Sequence, residues 1–592
     1  MERKNIENQY KWAIDEMYPT DSDLNSDIEK VKKLIDKISI YKGKLSESKQ
    51  NLYEALQTSE EAGRILEKLY VYTHMKSHED TRINENQGKA TKIDMLSTEL
   101  SMVASYMVPE IINIDEAKLN EFLQDEKLAF YKKYIDEILR EKPHTLSESE
   151  EAILAATSDL TAVPENVYDM MSYADIQFPK IKDEEGNEVK LTHSNYSLFL
   201  QSKNRRVRKD AFEGMYSIYK QYQNTFASTL YGGIKSEIFY SKIRKYESAL
   251  QGSLFADNIS VDVYENLIKS IDENIHVLDK YIELKKKFLG LDEVHMYDLY
   301  VPLVEDFDMK ITYEEAKKII LEALKPLGEE YLTHIQDAFD NRWIDVYENE
   351  GKQGGAYSWG CYDSKSYILM NYHNDLNSLF TLIHELGHSM HSYYSKNTQP
   401  YLYSGYKIFV AEVASTLNEL LLINYLLENS NSKQERIYLL NYYLEQFRTT
   451  VYRQTMFAEF EKIVHNIVEG GEPLTAEGFV DIYYKLNQKY YGKSCVVDEE
   501  IGFEWARIPH FYSNFYVYKY ATGFSAASAL SKQILEEGEV AVARYKEFLK
   551  SGGSDYPLNQ LKAAGVDMEK KESVDQALSV FAELVDKLEK EL

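Results

Sequence analysis

Cysteine is nearly missing from this sequence: Cys361 and Cys495 are the two present in 592 residues. That excludes a disulfide framework and fits a reducing compartment. Basic charge is also short, with 68 Lys and Arg against 97 Asp and Glu and a formal net charge of -29. Duplex nucleic acid and anionic membrane both reward a basic face, so neither is an expected partner. No apolar run is read that approaches the roughly 18 residues needed to cross a bilayer. Met1-Glu2-Arg3-Lys4-Asn5 leads into further polar residues and not into the apolar stretch of a secretory signal. The expected location is therefore cytoplasmic. A repeat of fixed period and a low-complexity tract are lacking too, although 49 tyrosines are a heavy load.

What is present reads as globular and mainly α, with 44% hydrophobic and 28% charged residues. Residues 1 to about 175 carry successive amphipathic stripes, such as Ile28, Val31, Leu34 and Ile35, or Ala62, Ile65, Leu66 and Leu69. Between Phe178 and Thr192, Ile181 and Val189-Lys190-Leu191 flank Glu185-Gly186-Asn187, which predicts a hairpin. Helical patterns resume from about Asn195 to Lys287 and from Tyr313 to Phe339. A short β region follows, from Trp343 to Tyr347 and, after a loop with Gly351, Gly354 and Gly355, from Ser366 to Asn371. Everything beyond Asn377 reads as helix again.

The sharpest signal is His384-Glu385-Leu386-Gly387-His388, an H-E-x-x-H sequence. With 13 histidines, chance places two of them four apart around a glutamate fewer than about 0.05 times in a chain of this length. Asn374, Asp375 or Asn377 can cap a helix that carries Leu376, Leu379, Ile383, Leu386 and Met390 on one stripe and His384, His388 and His391 on another. Residues four apart lie one turn apart on nearly the same face, so two imidazoles can reach one ion. Glu385, about 100° further round the helix, suits a group that manages a water without ligating the metal. A catalytic zinc takes three protein ligands as a rule. Candidates for the third are His391 on the same helix and the acids of the next one, Glu412 and Glu419. Three consecutive turns of one straight helix do not readily wrap a tetrahedral ion. Glu412 stands in an otherwise apolar stretch where an unpaired carboxylate would be costly, whereas Glu419 has polar company and reads as salt-bridged or solvated.

The H-E-L-G-H sequence, with Glu412 in Phe409-Val410-Ala411-Glu412-Val413-Ala414-Ser415-Thr416, resembles the thimet-oligopeptidase-like zinc peptidases, and within them the oligoendopeptidase F group. The likeness extends through Tyr246-Glu247-Ser248-Ala249-Leu250, His295-Met296-Tyr297-Asp298-Leu299-Tyr300-Val301-Pro302 and Arg507-Ile508-Pro509-His510-Phe511-Tyr512, and covers roughly residues 115 to 590. The resemblance implies one Zn2+ per chain on His384, His388 and Glu412, with Glu385 as general base. It also implies transition-state contacts from a cluster in which His510 and Tyr518 are the preferred pair and Tyr512 comes next. Two helical lobes around a deep substrate channel, with a small β-sheet beside the zinc helix, are the implied fold. The implied divisions are residues 1–110 and 111–193, both helical, and a catalytic domain over 194–592. Short oligopeptides, cut internally and tolerated with blocked termini, are the implied substrates. An extended peptide is expected to add a strand along Ser366 to Asn371. Two rivals remain at this point. An exopeptidase of the same clan needs a site for a chain terminus, and none is evident. A peptide-binding protein with a relict zinc helix would have no use for Glu385.

Overall fold

Each amphipathic stripe read in the N-terminal region folds as a helix. Asp21–Ser39 starts at Thr20, whose side chain accepts from Asp23 N while Asp23 reaches back to the cap, and it buries Ile28, Val31, Leu34 and Ile35. Lys49–His78 starts at Ser48 and buries Ala62, Leu66 and Leu69. The computed structural model describes residues 1–304 and 309–592, and over these the chain is mainly helical with two small sheets.

Two compact units emerge, each built from three separate segments. The first comprises Met1–Pro143, Asp308–Tyr425 and Leu530–Gly565; the second comprises His144–Phe307, Leu426–Ala529 and Val566–Leu592. Within the second unit, β1 (Lys180–Lys182) and β2 (Glu188–Lys190) form the expected antiparallel hairpin, in register Lys180 to Lys190, with Gly186 at φ +88° in the turn. Glycine accepts that left-handed conformation without the clash a Cβ would meet. The predicted Tyr313–Phe339 stretch is two helices, Tyr313–Ala323 and Glu329–Asp340, parted by Pro326 and by Gly328 at φ +85°.

The first unit holds a three-stranded sheet of β3 (Ile344–Asp345), β4 (Tyr357–Trp359) and β5 (Tyr367–Leu369), in the order β3-β5-β4. β5 runs parallel to β3 and antiparallel to β4. The expected docking of a peptide along Ser366 to Asn371 is therefore corrected: β5 is the central strand and both of its edges are taken. Ile368 N and Met370 N donate toward β3, to Trp343 O and Asp345 O. The Ser358–Ile368 pair is then a non-bonded one, and the Ser358 N–H and C=O face away from β5.

The sequence reading of no membrane-length apolar run is also corrected. Ile408–Glu428 is long and apolar enough by length and composition, although Glu412, Asn418 and Glu419 interrupt it to the eye. Some 61% of its most apolar window is buried inside the protein, as in the core helix of a folded domain.

Candidate metal centre

Asp375 starts the histidine helix, Leu376–Thr398, by accepting from Ser378 N at 2.7 Å. The predicted stripe anchors it: Leu379, Ile383, Leu386 and Met390 are fully buried, worth about 1.5–3 kcal/mol each relative to exposure. His384 and His388 point away from that stripe. Against them lies the helix Ile408–Glu428, and the approach is close because residue 387 is glycine. A Cβ there would sit 2.5 Å from Ser415 Cα and 2.7 Å from Ala414 O, distances no side chain can occupy.

The contact brings Glu412 onto the two histidines. Glu412 Oε2 lies 3.2 Å from His384 Nε2 and 3.4 Å from His388 Nε2, and the two ring nitrogens are 3.2 Å apart. Three lone-pair atoms thus form a nearly equilateral triangle. Donors bound about 2.0–2.1 Å from a tetrahedral ion stand about 3.4 Å from one another, so the arrangement fits such an ion without rearrangement. Among the described residues this is the group placed to hold a metal. Ser415 Oγ donates to the Glu412 carboxylate at 3.0 Å and steadies it.

Glu419, read from the sequence as salt-bridged or solvated, is salt-bridged, and its partner is His384. Its carboxylate accepts a short hydrogen bond from His384 Nδ1, which leaves Nε2 turned to the triangle. Its seven-residue spacing from Glu412, two turns on the same helix, was the signal that could have found it. Burial alone would lower His384, but Glu412 and Glu419 lift it to about 10. Burial alone would raise Glu412, yet the facing imidazoles hold it well below the usual carboxylate range. Glu385 is buried, and that burial pushes its carboxyl up against the pull of both histidines and of a hydrogen bond from the Ser358 backbone.

His391 takes no part in the triangle. It is buried, stacked on Tyr406 with ring centres 3.7 Å apart and packed near Phe548. Burial brings it down to about 3, so it stays neutral as a core residue.

Within the second unit, His510 sits on the 3-10 turn Pro509–Tyr512 and is partly exposed. Its aromatic neighbours are Tyr516, parallel at 6.2 Å, and Tyr520, whose hydroxyl is 3.5 Å from Nε2. Tyr518, the expected partner of His510, is not among these neighbours. Tyr518 is fully buried against Tyr264, ring centres 5.2 Å apart, whereas Tyr516, before the helix that Tyr518 opens, and Tyr520, within it, are partly exposed. Tyr512 is half-buried, with its hydroxyl 2.6 Å from Thr229 Oγ1 and its ring over Tyr168. Burial raises its phenol.

Residues 198–580 match peptidase family M3, and residues 110–178 match the family described as oligopeptidase F. The chain is 51% identical over 589 residues to oligopeptidase PepF of Bacillus subtilis, covering 99% of this chain and 88% of that one. Its fold is similar to that of oligoendopeptidase-F from Enterococcus faecium, at 37% identity and a TM-score of 0.73 over 96% of this chain and 99% of the other. A solved chain from Chlamydophila abortus is 36% identical, with a TM-score of 0.94 over the whole of both chains.

Proposed function

Because this chain belongs to peptidase family M3, in its oligoendopeptidase F group, and is a metalloendopeptidase, we propose that it hydrolyses internal bonds of short cytoplasmic peptides with one zinc ion held by His384, His388 and Glu412. The observation that carries this reading is the 3.2–3.4 Å triangle of His384 Nε2, His388 Nε2 and Glu412 Oε2. Zinc, when bound, supplies Lewis-acid polarisation of the scissile carbonyl and of the attacking water. The remaining work falls to side chains. Glu385, one residue beyond a ligand, takes the proton of the attacking water on its carboxylate and delivers it to the leaving amine. Its burial favours this exchange, since a carboxylate raised toward neutrality is a better base. Glu419 keeps a proton on His384 Nδ1 and so keeps Nε2 available.

Peptide backbone, not side chains, is the feature recognised. The Ser358 N–H on β4 is taken by Glu385, so its outward C=O is the group left to accept from an extended chain there, in place of the closed edges of β5. His510 is proposed as a hydrogen-bond donor to the oxyanion, with Tyr520, whose hydroxyl lies 3.5 Å from its Nε2, and Tyr516, whose ring is parallel to its own, as companions. The test is metal analysis of the purified chain together with an internally quenched peptide blocked at both ends. Stoichiometric zinc with cleavage is expected. Cleavage confined to peptides with a free terminus would assign an exopeptidase, and zinc without any cleavage would assign a binding protein.

A further inference from the structure

Charge is unevenly distributed in the interior of the second unit. Arg448, 1% exposed, donates to Glu445 from Nε at 3.0 Å and from Nη2 at 2.6 Å. The same carboxylate takes Lys285 Nζ at 3.3 Å and Tyr281 OH at 2.6 Å. Glu504 serves two more cations. It accepts from Arg453 Nη1 and Nη2 at 3.0 and 2.9 Å and from Arg507 Nη2 at 3.1 Å, as well as from Tyr216 OH at 2.9 Å and Tyr483 OH at 2.6 Å. Four cations therefore share two carboxylates. A carboxylate offers about four lone-pair positions, so Glu504 is saturated, and the two tyrosines consume its capacity without adding negative charge. Arg507 Nε is buried with no acceptor.

Arg448, Arg453 and Arg507 border one cavity of about 70 Å³, whose described lining contains Glu504 as its only carboxylate. Uncompensated charge inside a protein is expensive, and arginine does not escape the cost by losing its proton. Burial brings Lys285 down to about 8, which leaves it mostly protonated at neutral pH. Aromatic faces and solvent take part of the charge, with Arg448 4.4 Å over the Tyr300 ring and Arg507 23% exposed, and a counter-ion in the cavity would take the rest. A cavity of this size holds a small ion with little water.

We infer that this cavity is a binding site for a small monovalent inorganic anion of the chloride class, held by the guanidinium groups of Arg448, Arg453 and Arg507. The site is independent of the metal centre. It bears on the proposed donor His510 through the chain itself: Glu504 and Arg507 lie on the 3-10 helix Glu499–Arg507, and Pro509–Tyr512 follows directly. An anion that neutralises the arginines braces the base of that segment.

The test is thermal unfolding of the full-length, metal-loaded protein at constant ionic strength, with chloride or bromide replacing gluconate stepwise. A saturable rise in Tm on the order of 2 °C is expected with chloride and with bromide. Arg507→Gln, which removes one cation, is expected to lose the anion-specific part of that rise, and crystals grown in bromide are expected to show an anomalous peak in the cavity. Equal melting in chloride and gluconate, a drift that never saturates, or a bromide-free cavity would each overturn the inference. The wild-type comparison and the bromide crystal decide the matter even if Arg507→Gln does not fold.

Discussion

At the scale of single residues, the proposed division of labour separates metal binding from proton transfer. Glu385→Gln is expected to keep stoichiometric zinc and lose turnover by several powers of ten, since the ligand triangle is untouched while the base is gone. Glu412→Ala should lose the metal, and retention of both zinc and activity by that variant would send the search for a third ligand elsewhere. Protons compete with the metal at His384. In the metal-free protein Glu412 and Glu419 hold this imidazole's proton up to about pH 10, and a ligand must present a bare nitrogen. Zinc binding accordingly releases about one proton, and affinity should climb by about tenfold per pH unit across the neutral range, flattening toward pH 10. Chelator competition at three pH values measures the slope. For the donors, His510→Ala is expected to lower kcat more than it raises KM, by roughly 2–4 kcal/mol of transition-state stabilisation. Tyr520→Phe should affect kcat more than Tyr518→Phe does, because the Tyr518 ring is buried in the core. The reverse order would restore Tyr518 to the candidate site.

At the scale of elements, two helices must touch for the triangle to exist. Gly387 permits the contact: a methyl group there would overlap the backbone of Ser415 and Ala414. Backbone cannot swing aside as a long side chain can, so Gly387→Ala forces the helices apart. The expected cost is about 1–3 kcal/mol of stability. The same displacement withdraws Glu412 from His384 and His388, so zinc affinity should fall along with Tm. If Gly387→Ala binds zinc as tightly as the wild type, the triangle does not depend on this contact. The small sheet makes a second point at this scale. Three short strands contribute little stability themselves, but their order decides which backbone groups face outward, and it places β4 at the edge of the sheet with the Ser358 backbone hydrogen-bonded to Glu385.

For the molecule as a whole, the consequence is selection by the flexibility of the substrate. A peptide that pairs with the β4 edge must be extended over several residues on either side of the cut. A folded protein would have to release those residues from its own structure, at about 1–2 kcal/mol for each residue reordered. A short peptide has no such structure to lose. Peptides of roughly 6 to 20 residues with blocked ends are expected to be cut, the range following from extended-chain reach. The same sequence placed in a well-ordered loop of a stable protein is expected to resist. Comparable rates on the two would remove the extended-backbone reading and leave the metal chemistry as it stands.

Local physics made much of this protein legible from its residues. The 3.6-residue period wrote the helices, including the stripe Leu379, Ile383, Leu386 and Met390, and turn chemistry wrote the hairpin at Gly186. Four-residue spacing put His384 and His388 on one face, and the resemblance to known zinc peptidases drew Glu412 to them. Tertiary structure alone decided what depends on contacts between distant segments. It made Glu419 the partner of His384, turned His391 into packing for Tyr406 and Phe548, put β5 in the middle of its sheet, and buried Tyr518 while leaving Tyr516 and Tyr520 partly exposed. The reason is the same in each case. Periodicity tells which side of an element a residue occupies, but only the neighbour packed against that side determines whether the residue meets a metal, a ring, a strand or solvent.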